Sequence, residues 1–582
     1  MIGEEQEVIQ IDCTECGCLC ALSLSALCDK CMAPLKNKKF DRVRLKGRLF
    51  TKEYDGNGRL LRISPFYIDV RLGVLREHVK LVEEYEIGRT GAYVRIFQRI
   101  DEPGYIYFIK IPEMNVTFSE LWDIYQEDKK FEETGVTENE YIRRWYQEYG
   151  ILEHLLFDAK ILEININPPA YKTAMRIVHE DYAECVTNIY PTEDFLNYLA
   201  TRMKINTGRP LNKAQPQLDG EIKIENQKGR VAAVISPFSI FGAAYSIRKH
   251  REKPWTLPLF MYVKEINSWY SGLMSFIITH GRTFLIAGPR GSGKSAMLGS
   301  LLLEILPKYR ILTIEDTQEL PIESYKKFGY DILPLKVRSA LLKESIEIPF
   351  ETGLRTSLRL GDSCLIVGEV RSVEAKVLYE AMRVGAMSNV VGGTIHADNP
   401  YGVFDRVVND LGVPRGSFKV TDLIIIINQI KSATGLTRVR RVLSVTEVQK
   451  KWDKEPIFGD LLVYNPQKDE LVPTEYFLKG KSVLLNDIIG RVKEYKDYSY
   501  AIHDIQLRGW AKQTLLKLAP DKSFMEADYV IRANILFTNL FENLKPLESR
   551  ENEKAFMKTY YTNLKAMLQK GKMQTTVSRS DI

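Results

Sequence analysis

Thr283-Phe284-Leu285-Ile286-Ala287-Gly288-Pro289-Arg290-Gly291-Ser292-Gly293-Lys294-Ser295 is the stretch on which the fold turns. Its first five residues are β-branched or apolar, as in a strand buried on both faces. The next eight fit G-x-x-x-x-G-K-S/T. Glycines let successive backbone N–H groups turn inward around an anion. Lys294 then reaches the outer phosphate oxygens, and the Ser295 hydroxyl faces Mg²⁺. Residues 296–306 read as a helix whose N-terminus points at the same anion. Strand, glycine turn and helix in that order predict a phosphate-binding loop over residues 288–295: Gly288, Pro289, Arg290, Gly291, Ser292, Gly293, Lys294 and Ser295.

Working outward, apolar runs at 311–314, 364–368 and 390–395 read as further strands, with helical segments between them; 423–427 reads as another. Continuous apolar strands predict an α/β fold with a parallel sheet covered on both faces. Two of these strands end in acids, Glu315 with Asp316, and Glu369. In a parallel sheet both carboxylates emerge at the edge that carries the phosphate loop. One acid can hold the metal and the other orient a water: the expectation is Glu369 with Ser295 for Mg²⁺, and Glu315 for the water. His396 ends another strand at that edge. A neutral imidazole there can hydrogen-bond a terminal phosphate and report its loss. The flanking Gly392-Gly393 and Asp398-Asn399-Pro400 favour this role over that of a packed structural histidine.

The glycine-rich loop, Ile314-Glu-Asp-Thr-Gln-Glu-Leu320, Val367-Gly-Glu-Val-Arg371 and Gly393-Thr-Ile-His-Ala-Asp-Asn-Pro400 occur in the order of the type II/type IV secretion ATPases. The chain resembles that family over roughly residues 90–450. Val178-His-Glu-Asp-Tyr182, Thr187-Asn-Ile189 and Ser246-Ile-Arg-Lys249 resemble the domain before the motor in archaeal pilus and archaellum ATPases. The resemblance implies a RecA-like motor domain with a preceding PAS-like α/β domain. It also implies a homo-hexamer, with ATP held between the two domains. Family arginines then match Arg230, Arg248, Arg355 and Arg359, whose guanidinium groups suit charge developing on a transferring phosphoryl group.

Six cysteines lie between Cys13 and Cys31. Cys13-x2-Cys16 and Cys28-x2-Cys31 form two knuckles that can hold one structural Zn²⁺. Cys18 and Cys20 could substitute for Cys16, and free thiols or an iron–sulfur cluster are the other readings. The expected organisation is a zinc-ribbon-like module at 1–40, an accessory domain at 41–158 and an α/β domain at 159–248. A hinge-like linker at 249–258, the ATPase domain at 259–450 and a mainly helical extension at 451–582 follow. Helices are expected at 117–130 and 137–158, the second capped by Thr137 with Glu140, and disorder from about Gly571.

Hydrophobic residues make up 45% of the 582 and charged residues 27%, which excludes wholesale disorder and a fibrous chain. The net charge of +6 is too small at this length to identify a nucleic-acid binder, so nucleic acid is not an expected partner. No run approaches a membrane span, and the acids before Cys13, with no Lys or Arg among them, argue against a secretory signal. The expected place is the cytoplasm, peripheral at the membrane face, acting on an integral membrane platform protein of a pilus, archaellum or secretion machine. A DNA-handling motor for conjugation or uptake is the alternative, and a nucleotide-binding scaffold without turnover the third reading.

Overall fold

The computed structural model describes residues 9–12, 19–21, 42–45, 50–54, 60–65, 68–71, 79–115, 139–316, 318–337, 350–357, 359–360, 364–371, 374–385, 390–435 and 438–580. Cys13, Cys16, Cys28 and Cys31, the helix expected at 117–130 and the Thr137 cap lie outside them. The chain divides into two compact units, Met1–Arg251 and Glu252–Ile582. The division falls inside the expected linker, which is shorter than its polarity implied. Strand Ala244–His250 claims one end, and helix Leu257–Tyr262 starts at the other, capped by Thr256 Oγ1 accepting from the Leu259 N–H.

The first unit is built on a nine-stranded sheet, ordered Gln217–Ile224, Gln227–Val234, Ala244–His250, Ile161–Ile166, Arg176–His179, Ala183–Thr187, Tyr105–Lys110, Ala92–Arg99 and Val79–Ile87. The expected border at 158/159 therefore runs through one sheet. Ala183–Thr187 pairs in parallel with Tyr105–Lys110, and Val94, Ile96 and Tyr107 share a core with Ile164, Ile177, Val231 and Ile247. Along most of these strands buried residues alternate with exposed ones, and burial of that shared apolar face drives this union. A seven-stranded sheet takes Ile9–Asp12, Leu19–Ala21, the strands between 42 and 71, and Ile189–Pro191. The expected 137–158 helix is shorter and broken: Glu140–Ile142, a wide turn at Arg143–Gln147, then Ile151–Phe157 after Gly150.

The second unit holds β1 (Thr283–Ala287), β2 (Ile311–Glu315), β3 (Ile332–Lys336), β4 (Cys364–Val367), β5 (Val391–Ile395), β6 (Leu423–Lys431), β7 (Arg438–Val448), β8 (Phe458–Asn465) and β9 (Glu470–Pro473). Their order in the sheet is β3-β2-β4-β5-β1-β6-β7-β8-β9. Pairing is parallel from β3 to β6 and antiparallel from β6 to β9. Every residue of β1, β2, β4 and β5 is buried, as their unbroken apolar runs require.

The border expected at 450/451 is absent from the structure, because β8 and β9 extend the motor's own sheet. Buried Glu447 of β7 accepts from the Ser482 hydroxyl and the Val483 and Leu484 N–H groups, fastening the following chain to the sheet. Helices Tyr498–Leu518, Ala527–Leu544 and Arg550–Ser580 complete the unit, the last running through the stretch expected to be disordered. Helix Tyr498–Leu518 lies against Ser268–Thr279, and two glycines permit it. A Cβ on Gly272 would sit 2.1 Å from Ile505 O, and one on Gly509 2.3 Å from Ser268 O. No helix among the described residues is long and apolar enough to cross a membrane.

One buried ion pair joins these helices to the motor. Lys512 Nζ donates to both carboxylate oxygens of Glu304 at 2.7 and 2.8 Å, and Asn534 Nδ2 donates to Leu303 O at 2.9 Å. Lys512→Met leaves Glu304 buried without its cation and should lower stability by about 3–5 kcal/mol. Lys512→Met with Glu304→Leu should recover most of that loss in a urea titration. Equal unfolding midpoints for the single variant and the parent would show that the pair does not hold the helices.

Candidate active site

The phosphate loop leaves the end of β1 at Gly288, where a Cβ would lie 2.1 Å from Ile427 O, so β6 admits only glycine. Gly293, in the left-handed region at φ 100°, opens helix Lys294–Leu302. The buried Lys294 ammonium donates to Gly288 O and Pro289 O at 3.0 Å each and stands 3.4 Å from His396 Nδ1. Nδ1 also lies 3.2 Å from Gly288 O, which can only accept, so its two neighbours ask opposite roles of it; the second ring nitrogen is Nε2. That nitrogen lies 3.0 Å from Glu369 Oε1. Arg371 bonds the other Glu369 oxygen, and its Nη1 reaches Asp316 Oδ2 at 3.1 Å.

Two carboxylates at this edge titrate in opposite directions. Burial pushes Glu369 up, but Arg371, His396 and Lys294 outweigh it and hold the carboxyl below its ordinary range. Burial pushes Glu315 up to about 8, and the N–H groups of Leu320 and Glu319 that it accepts at 3.1 and 3.0 Å offset only part of that. Its Oε2 is buried with no hydrogen-bond partner. His396 is lowered, first by burial and then by Lys294, which keeps the imidazole neutral. Ser295 Oγ donates to Glu319. A serine hydroxyl beside the Glu319 carboxylate, together with the buried Glu369 Oε1 that has no hydrogen-bond partner, is a set of oxygen donors that fits Mg²⁺.

The structure thus joins Lys294, Glu369 and His396 in one contact chain, while Glu319 links Ser295 to Glu315. Arg355 lies exposed in helix Phe350–Ser357, and Arg359 just beyond it is exposed. Arg230 and Arg248 belong to the first unit and are brought together there as cross-strand partners, within 4.0 Å of Asp219 and 3.5 Å of Glu163 respectively. The residue-by-residue reading did not single out Glu319 or Arg371, and it named Asp316 only as the second acid at the end of its strand. Arg371 had a signal: Glu-x-Arg at a strand end puts both side chains on one side. It likewise missed Gln429 Nε2 and Arg440 Nε, which donate to Gly291 O at 2.8 and 3.2 Å. Glu265, buried and raised to about 7 by burial against the pull of Arg440 and Arg441, carried no sequence signal.

Residues 164–450 match the Type II/IV secretion system protein family model, and this region of the chain belongs to that family. An uncharacterized protein of Methanocaldococcus jannaschii is 26% identical over 62% of this chain and 62% of its own length. A protein of Mycobacterium tuberculosis named for conjugal transfer is 30% identical over 36% of this chain and 59% of its own. The chain therefore spans about three fifths of these curated relatives. The Legionella pneumophila ATPase DotB aligns at 16% identity over 62% of this chain and 86% of its own, with a TM-score of 0.38.

Glu315 yields a stability prediction. Its folded value lies above the unfolded one, so the protonated form is favoured by folding. That contribution is complete below about pH 4.5 and is lost as pH rises through about 8. Glu315→Gln keeps the acceptor for Glu319 and Leu320 without the charge. It should be more stable than the parent at pH 8.5, by on the order of a few kcal/mol, and melt correspondingly higher, with the gap closing toward pH 5. A pH-independent difference in melting would show that Glu315 is not held protonated by burial.

Proposed function

We propose that the chain is a Mg²⁺-dependent ATPase that works as a homo-hexameric motor of a pilus, archaellum or secretion machine. The observation that carries the reading is the edge at which Lys294, His396 and Glu369 meet the phosphate loop, with Glu315 and Ser295 joined through Glu319. Lys294 and the loop N–H groups bind the β- and γ-phosphates. Glu315, with its unpartnered oxygen, orients the attacking water and takes its proton. Neutral His396 hydrogen-bonds the γ-phosphate and passes its loss to Glu369 and Arg371. Mg²⁺ would be held by Ser295 with Glu319 and Glu369, and would supply charge neutralisation on the phosphate oxygens. Arg230 and Arg248, with Arg355 and Arg359, would meet the developing charge at closed subunit interfaces. The force would act on an integral membrane platform protein at the cytoplasmic face. The cysteines at 13, 16, 28 and 31 would hold one structural Zn²⁺.

The relative named for conjugal transfer supports a second reading, a DNA-handling motor. A steep loss of DNA affinity with salt belongs only to that reading. For the first, wild type should release phosphate from ATP with Mg²⁺, and Lys294→Ala should lower the rate at least about a hundredfold, since a phosphate-neutralising charge is lost. Light scattering should show six-fold mass with ATP. Turnover by Lys294→Ala at the parent rate would overturn the site. A monomer at every protein and nucleotide concentration would overturn the ring.

A further inference from the structure

β1 lies between β5 and β6, so the phosphate loop has His396 and Glu369 on one flank and the β6–β7 hairpin on the other. β6 continues past the loop: Ala287 stands opposite Ile426, and Asn428–Lys431 run on beyond it. On the return strand Arg440 is opposite Gln429, and Arg438 is opposite Lys431. Directly opposed residues share a face, as do residues two apart on one strand. Gln429, Lys431, Arg438 and Arg440 therefore form one face. It is turned to the loop, since Gln429 Nε2 and Arg440 Nε both donate to Gly291 O.

That clamp orients the loop. In a trans peptide the carbonyl points away from the next N–H. Holding Gly291 C=O toward the hairpin turns the Ser292 N–H away from it, and its own bond to Pro289 O is long at 3.4 Å. The face is also electrostatically incomplete. Lys431 and Arg438 are like charges directly opposed, an arrangement that destabilises a ladder. Among the described residues no carboxylate oxygen lies within 4.0 Å of Lys431, Arg438 or Arg440. The buried acid beside them, Glu265, has an Oε1 without a hydrogen-bond partner, and it approaches the Cβ position of Gly293 at 3.6 Å beside Arg440 Cδ at 3.5 Å.

We propose that the β6–β7 hairpin is the second wall of the nucleotide site: Lys431 and Arg438 bind the α-phosphate, the one remote from the transferred group, while Gln429 and Arg440 position the loop. Resting on the ATPase reading, the γ-phosphate goes to the His396 flank. The phosphate chain then crosses the loop, and its nucleoside end meets the opposed cations.

The test uses the full chain and calorimetric titration of ADP and of inorganic pyrophosphate, which has no nucleoside-linked phosphate and on this proposal takes the two outer positions. Lys431→Gln with Arg438→Gln should weaken ADP binding about tenfold and leave pyrophosphate within about twofold. The KM for ATP should rise more than kcat falls. Lys431→Arg with Arg438→Lys, which keeps both charges, should restore ADP affinity. Gln429→Ala, by contrast, should weaken ADP and pyrophosphate alike, as expected of a residue that acts through the loop. Unchanged ADP affinity in the double Gln variant, or equal loss for both ligands, would overturn the α-phosphate assignment while leaving the ATPase reading intact. Loss of assembled mass in light scattering with ADP affinity intact would overturn it in favour of an acidic strip on a second copy. Failure of the wild type to bind either ligand would overturn both readings.

Discussion

A line of contacting charged and polar groups crosses the carboxyl edge of the motor sheet, and the site depends on it. It runs from Lys294 through His396 to Glu369, Arg371 and Asp316. These residues follow β1, β5, β4 and β2, which is the strand order itself. The parallel register brings the strand ends level, with Ala287 opposite Ile395 and Val367 opposite Gly393. An antiparallel sheet would send half of these groups to the far edge. The apolar strands thus do more than form a core: they set the spacing at which five polar groups meet. A change felt by Lys294 at the phosphate loop is transmitted along fixed contacts to the end of β2.

The same edge separates two carboxylates that composition makes equal. Glu369 has three cationic or polar neighbours and ionises readily, whereas Glu315 has only backbone donors and resists ionisation. Environments that push two acids apart assign them different work. A carboxyl held near neutrality can accept a proton from water at moderate driving force, while a firmly ionised one suits a fixed charge. The stability that burial of Glu315 costs at high pH is the counterpart of that proton affinity.

The nucleotide loop, the acids and the histidine were legible because each lies at the end of an apolar run, where chain chemistry changes abruptly. Domain borders were not. Lys249 and His250 look like linker by polarity, yet they belong to a strand whose alternate residues, Tyr245 and Ile247, are buried. The motor's end at 450 was misplaced for the opposite reason. The turn between β7 and β8 carries Gln449–Glu455, polar but for Trp452, and a polar hairpin turn reads like a border. Gln429 and Arg440 were invisible for a third reason. They are separated from Gly291 by more than a hundred residues, and only strand register brings them to it.

Two of the opposed cation pairs, Arg230 with Arg248 and Lys431 with Arg438, differ in their surroundings. Arg230 and Arg248 face each other across neighbouring strands in the first unit, but Asp219 and Glu163 stand within ion-pair reach of them. Both contacts are partly exposed and long, the kind worth little in water. Such a pair is stable alone and can exchange its carboxylates for a phosphate at small cost, which suits groups that engage only when an interface closes. Lys431 and Arg438, both exposed, have no carboxylate within 4.0 Å among the described residues, so solvent alone screens them until an anion arrives. A pair with carboxylates at hand can wait for phosphate, whereas a pair without them is relieved by binding it. On this physical ground the Lys431–Arg438 face would bear on affinity for nucleotide, and the Arg230–Arg248 pair on the rate at which the bound phosphate reacts.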